Sequence, residues 1–190
     1  MKKHSGMRPQ DILIILKIIA HPAEVNKSWP HQKKSIRLIP NGIQNKALAS
    51  ALQLSEAEVS ESLRRSVYAG LLTDSKLKSV NKKALLEFLL TGLKYVFPSH
   101  PGALARGVPT AHSAPPLNEL IVSDEKYVWA SAEGTVRGQI IEPLYPTVPL
   151  ITPQNSKLYE LVALIDAIRT GSARTVGIAS AELEKRIMSV

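Results

Sequence analysis

The sequence predicts a mainly α protein with small β elements, an α+β chain in which helices come first, short strands follow and two helices close it. Three observations carry this. Apolar residues recur at helical spacing between Gln44 and Leu72, with a strong helix-start signal at Ser55. A stretch with five prolines and two glycines, Pro98 to Pro116, divides the chain. Beyond it, Lys126 to Ser131 and Val136 to Ile141 carry the valine, isoleucine and aromatic content of strands. At 190 residues there is material for one sizeable core or two small ones.

The first element is RPQDILIILKIIA, Arg8 to Ala20, apolar nearly all round through Ile12, Leu13, Ile14, Ile15, Leu16, Ile18 and Ile19. Abundant isoleucine would suit a strand, but Pro9 fits a first helical turn and His21-Pro22 a stop, so a helix is expected. A helix this apolar is either central in the core or packed against a second subunit. Residues 22 to 43 form a polar connection with Lys27, Lys33, Lys34 and Arg37, and Pro30 and Pro40 oppose regular helix. Ser35 to Ile39 alternates and reads as a short strand. Trp29 either caps a small core or offers its ring for stacking.

Gln44 to Leu72 reads as two short helices joined by a tight turn. Leu48, Ala51 and Leu52 share one face of the first, and Gln53-Leu54 closes the turn. Ser55 sits where an N-cap belongs, with Glu58 three residues on to complete a capping box. Val59, Leu63 and Val67 then form a second apolar stripe, and Gly70 ends the helix. Two helices this short must share a core with something else. The opposite face of the second is therefore open, and it carries Ser55, Glu56, Ala57, Ser60, Glu61 and Arg64, with Arg65 at its margin. Leu72, Leu77 and Val80 next flank a polar tip holding Lys76 and Lys78, the reading for a short hairpin. Asn81 caps a helix from Lys82 to about Tyr95, with Leu85, Leu86, Phe88, Leu89 and Leu93 on its buried side.

The pattern LAxxLxLSxxxVSxSLxRxxxxGLL, Leu48 to Leu72, resembles the winged helix-turn-helix of bacterial transcriptional regulators, the MarR-like group in particular. The resemblance covers roughly residues 8 to 83. It implies duplex DNA as partner, with the second helix in the major groove and Ser55, Glu56, Ala57, Ser60, Glu61 and Arg64 toward base edges. Arg65, Lys76, Lys78, Lys33 and Lys34 would hold phosphates. It also implies that the first helix could contribute to a dimer. Relatives often carry Arg, Lys, Gln or Asn where this chain has Glu56, Glu58 and Glu61. The cap accounts for Glu58, a glutamate can accept from cytosine N4, and Glu61 has no assigned role.

The formal net charge is +8. Residues 1 to 100 hold 16 Lys or Arg against 7 Asp or Glu, a balance of +9, and residues 101 to 190 hold 8 against 9, a balance of −1. The whole excess thus lies on the half with the helix-turn-helix pattern, as expected if that half meets polyphosphate; a basic half can also be a merely soluble surface or an anionic-membrane contact, though no basic amphipathic helix is present for the latter. With no cysteine, thiolate chemistry is excluded. No apolar stretch approaches the ~18 residues of a membrane span, so a cytoplasmic protein with no membrane partner is expected.

From Glu133-Gly134 a hairpin is expected between residues 126 to 131 and 136 to 141, with Trp129 and Ile140 on packed faces. Pro143, Pro146, Pro149 and Pro153 keep the following residues extended. Helices Asn155 to Thr170 and Ala173 to Met188 close the chain. The expected organisation is a DNA-binding domain over 1–97, a Pro-rich connection over 98–119, and a hairpin-and-helix region over 120–190 for dimerisation or a partner.

His100, His112 and Ser113 invite a catalytic reading, but no acid is placed to orient an imidazole and no nucleophile elbow is present. The carboxylates of the second half, Asp166 among them, mostly fall where a solvated face is expected. No phosphate-cradling loop, metal-ligand spacing or dinucleotide fingerprint appears. No catalytic residue, metal or cofactor is therefore expected. The functional expectation is a sequence-specific DNA-binding regulator, a homodimeric repressor. The alternative is an antitoxin or other interaction module of a defence operon, which binds a partner protein through its second half and autoregulates.

Overall fold

The computed structural model describes residues 6–21 and 43–189. Lys33, Lys34, Trp29 and the expected strand at 35–39 lie outside the described residues.

Helix α1 (Pro9–Ala20) is the central element of the core. Ile12, Leu13, Ile14, Ile15, Leu16 and Ile18 are completely buried. Of the two placements that its all-round apolarity allows, the structure has the central one: α3 and α7 of the same chain cover it. The expectation of a dimer contact through α1 is corrected accordingly, because its apolar surface is consumed within one chain.

Helices α2 (Asn45–Leu52) and α3 (Glu56–Tyr68) follow. Between them Gln53 adopts a left-handed conformation at φ 54, and the Leu54 amide donates to Ala49 at 2.9 Å. Leu48, Ala49 and Leu52 are buried on α2, whereas Ala51 points outward. On α3 the buried stripe is Val59, Ser62, Leu63 and Ser66. Val67, expected on the stripe, is 37% exposed, and Ser66 takes the buried place in the last turn. Small Ser62 and Ser66 are completely buried on the packed face of α3, where larger side chains would hold its neighbours apart.

Gly70, at φ 75, ends α3 in the conformation that a Cβ disfavours. Strands β1 (Leu72–Asp74) and β2 (Ser79–Val80) pair antiparallel as the expected short hairpin. Asn81 accepts from the Ala84 amide and starts α4 (Lys82–Glu87). This runs through a π turn at Phe88–Gly92 into α5 (Leu93–Val96), so the expected helix forms with one irregular turn.

The second half departs from expectation. Strand β3 (Leu104–Pro109) lies inside the stretch expected to be a Pro-rich connection. It pairs antiparallel with both β4 (Tyr127–Ala130) and β5 (Val136–Ile140), and β4 meets β5 in parallel, closing a three-stranded barrel. There is thus no hairpin at Glu133-Gly134. The two runs are neighbours of a third strand, and edges are removed by closure. Glycines make so small a barrel possible. A Cβ on Gly107 would run into the Trp129 backbone, one on Gly134 into the Gly107 backbone, and one on Gly138 into the Lys126 backbone. The residues after the barrel are also not extended: Val148–Ile151 is a short helix, α6, with Pro149 in its first turn.

Helices α7 (Ser156–Thr170) and α8 (Ala173–Met188) complete the fold. They start on side-chain caps, Asn155 accepting from the Leu158 amide and Ser172 from the Thr175 amide. The apolar core runs without interruption from Ile12 and Leu48 through Leu89 and Trp129 to Leu164 and Ile187. The two halves of the sequence therefore share one interior.

A buried polar cluster ties barrel to helix. Asp166, completely buried, accepts from Trp129 Nε1 at 2.6 Å, Thr110 Oγ1 at 2.9 Å and Arg169 Nη1 at 2.7 Å. Arg169 in turn donates to the carbonyl oxygens of Phe97 at 2.8 Å and Glu142 at 3.2 Å. A solvated face is the expectation for Asp166; the structure buries it because three donors, one of them the Arg169 guanidinium, replace its water. Burial still pushes its carboxyl above the usual range, with the Arg169 charge opposing.

Tyr159 adds a second tie, donating to the Pro109 carbonyl at 2.8 Å. Burial pushes its phenol up to about 12. The fold favours the neutral form, so this stabilisation is intact below pH ~10 and lost as pH rises through ~12. Tyr159→Phe should cost about 1 kcal/mol at neutral pH and flatten that alkaline limb. Urea melts across the alkaline range, with tyrosinate absorbance, measure both; an unchanged limb in the variant assigns it elsewhere.

Candidate nucleic-acid interface

The candidate surface is the outward face of α3. Its start is held by the capping box: Glu58 N donates to Ser55 Oγ at 3.1 Å, and Ser55 N donates to Glu58 Oε2 at 3.0 Å. The Ser55 backbone bond, followed by the bond from its hydroxyl, holds the Glu58 carboxyl below its usual value. One of the three front-half carboxylates is thereby explained as local structure.

Ser55, Glu56, Ala57, Ser60, Glu61 and Arg64 are all exposed among the described residues. The structure thus brings all six base-edge candidates onto one open surface. Asn45, at the start of α2, donates from Nδ2 to Ser60 Oγ at 3.3 Å and links the two helices across that surface. Arg64 and Glu61 form an ion pair on the surface, with side chains 68% and 55% exposed.

The phosphate candidates fare differently. Arg65 Nε and Nη2 donate to the two oxygens of Asp11 at 2.8 and 2.5 Å. Asp11 is completely buried, and the Arg65 side chain is 12% exposed. Arg65 is accordingly corrected from phosphate ligand to the bidentate clamp between α1 and α3. Lys78 is also corrected. It is 7% exposed, at φ 50, and burial lowers its pKa, so it offers a phosphate far less surface than the exposed Lys76. Lys76 remains exposed at the hairpin tip, where Asp74 Oδ1 accepts from the Lys76 and Leu77 amides at 2.6 and 2.7 Å and shapes the turn. Lys46 on α2 and Lys83 on α4 are exposed as well.

Asp11 and Asn45 are contributors that the sequence pattern does not announce. Asp11 is a lone acid in an apolar run, which flags a buried charge needing a partner, but 54 residues separate it from that partner.

Other polar groups of interest are structurally engaged. His112 Nε2 donates to the Glu125 carbonyl at 2.9 Å, its ring meeting Tyr127 edge-on at 4.5 Å. Ser113 Oγ accepts from the Tyr127 amide at 2.9 Å. His100 is exposed. Among the described residues no group of three or more His, Asp or Glu could hold a metal ion, and no helix is long and apolar enough to cross a membrane. His112 and Tyr127 also line a cleft of about 450 Å³ with Leu120, Val122, Ser172 and Arg174.

No family model, no curated protein and no solved structure matches this chain.

Proposed function

We propose that this chain is a sequence-specific DNA-binding regulator of winged helix-turn-helix type, acting as a homodimeric repressor in the cytoplasm. The observation that carries the reading is the division of α3 into two faces. One buries Val59 and Leu63 in the core and is tied to α1 by the Arg65–Asp11 clamp, and the other leaves Ser55, Glu56, Ala57, Ser60, Glu61 and Arg64 open. A helix held on one side and bare on the other, with a hairpin beyond it, has the form of a recognition helix entering a major groove. Lys46, Lys76 and Lys83 on the flanking elements supply the phosphate contacts that the acidic front of α3 cannot. Two-fold operators need a two-fold protein, which is the reason for the dimer.

Anisotropy titrations against the duplex upstream of its own gene, at two salt concentrations, test this. Arg64→Ala is expected to cost ~1 to 3 kcal/mol on the cognate duplex, and Lys76→Ala to weaken all sequences alike and lower the salt slope by about 1. Equal effects of Arg64→Ala on cognate and random DNA would remove base reading, and absence of binding at low salt would remove the proposal.

A second reading, docking of a partner protein through residues 98 to 190, is favoured by Leu120, 51% exposed, and the fully exposed Val122 beside the cleft. Co-purification of one stoichiometric partner, lost in Leu120→Asp/Val122→Asp, is its expected result.

A further inference from the structure

We propose that Glu61 is a specificity-determining residue that makes the α3 surface select a cytosine. This deepens the DNA-binding reading and rests on it. The argument starts from a charge inventory. Among the described residues on the outward face of α3, Arg64 is the one cation, because Arg65 is withdrawn by Asp11. Against it stand Glu56, Glu58 and Glu61. Glu58 is used by the cap, and Glu56 lies in the first turn, where the helix dipole favours an anion. Glu61 is beyond both effects. Its partner is Arg64, and an exposed ion pair of this kind contributes little, so fold stability does not account for it.

In a groove flanked by phosphates, a carboxylate is repelled unless it meets a donor. The donors on major-groove edges are cytosine N4 and adenine N6. Adenine sets the acceptor N7 beside its amino group, which opposes the second carboxylate oxygen. Cytosine has no such neighbour on its own edge, so a glutamate is matched to it. Arg64, one turn further along, is matched to the O6 and N7 of guanine. Side chains three residues apart stand about 5 to 6 Å from each other, and successive base pairs about 3.4 Å. The Glu61–Arg64 pair can therefore open over one C·G pair or two successive pairs.

The same pair also suppresses wrong sequences. In the free protein Glu61 holds the guanidinium that would otherwise grip any phosphate. Only an edge offering both a cytosine donor and guanine acceptors compensates both charges, so discrimination comes from the cost of every other edge as well as from the contact itself.

Selection from a random duplex library, run on the wild-type chain and on Glu61→Gln after circular dichroism shows both folded, tests the inference. The wild type is expected to fix a cytosine at one position of each half-site. In Glu61→Gln that position should lose its cytosine or turn to adenine, which glutamine reads bidentately, and binding to random duplex should rise several-fold. Replacing the fixed C·G pair by T·A should weaken the wild type by roughly 5- to 150-fold and Glu61→Gln far less. Identical selected sequences for both proteins overturn the role of Glu61 and leave DNA binding standing. A wild type that binds DNA without selecting any base overturns it too. A wild type that binds no duplex at low salt overturns the underlying reading and this one together.

Discussion

Gly134→Ala should destabilise the protein by about 3 kcal/mol or more, at the upper end of overpacking effects. The new Cβ would fall on the Cα, carbonyl carbon and oxygen of Gly107. These are backbone atoms of the strand that pairs with both other strands, so no rotamer change relieves the clash. Gly134 O also accepts from Arg106 Nε, so the loop is held at the clash site. In a chain of this size the loss corresponds to a melting temperature lower by roughly 6 to 12 °C. Thermal and urea melts measure it, and Ala132→Gly in the same connection should stay within about 1 kcal/mol of wild type. A variant as stable as wild type would mean that the barrel does not close as described.

Arg65→Ala should cost about 3 to 5 kcal/mol, the range for removing one partner of a buried pair. The loss arises mainly on the other side of the pair, where Asp11, completely buried, keeps its charge and loses two donors. The Arg8 amide, at 2.8 Å, is left to it. Replacing both partners, Asp11→Leu with Arg65→Met, should recover most of the stability, because no charge then remains in the interior. Urea midpoints of the two single variants and the double variant close the cycle. Additive single effects would show that Asp11 and Arg65 do not interact. Since the clamp fixes the α3 orientation against α1, the double variant should fold well yet discriminate DNA sequences less than wild type.

The legible parts of the molecule were those whose cause is local. The capping box of Ser55 and Glu58, the Asn81 cap, the Gly70 stop and the antiparallel pairing of β1 with β2 each depend on residues a few positions apart, and the chain carries the signal intact. The open face of α3 followed from the same spacing. The barrel was not legible, for a physical reason. Closing three strands at backbone contact needs Gly107, Gly134 and Gly138, and in β3 Gly107, with Pro109 beside it and Pro101-Gly102 just before, gives a strand the composition of a loop. Without the partner strand in view, Lys126 to Ile141 has the spacing of a hairpin. Its two runs instead both pair with residues some twenty to thirty-five positions earlier.

Charge shows the same limit. The sequence determined by itself that the first half is basic and that Ser55, Glu56, Ala57, Ser60, Glu61 and Arg64 share one helical face, because composition and helical period need no tertiary information. Which cations are free was decided by folding. Arg65 is taken by Asp11 and Lys78 is covered, while Lys76 and Arg64 stay in solvent. Likewise only the assembled core settled that α1 belongs to its own α7 and α3, and that Asp166 is an interior anchor. A side chain's period fixes the direction it leaves its helix; what waits in that direction comes from segments distant in the chain, and long-range packing alone supplies it.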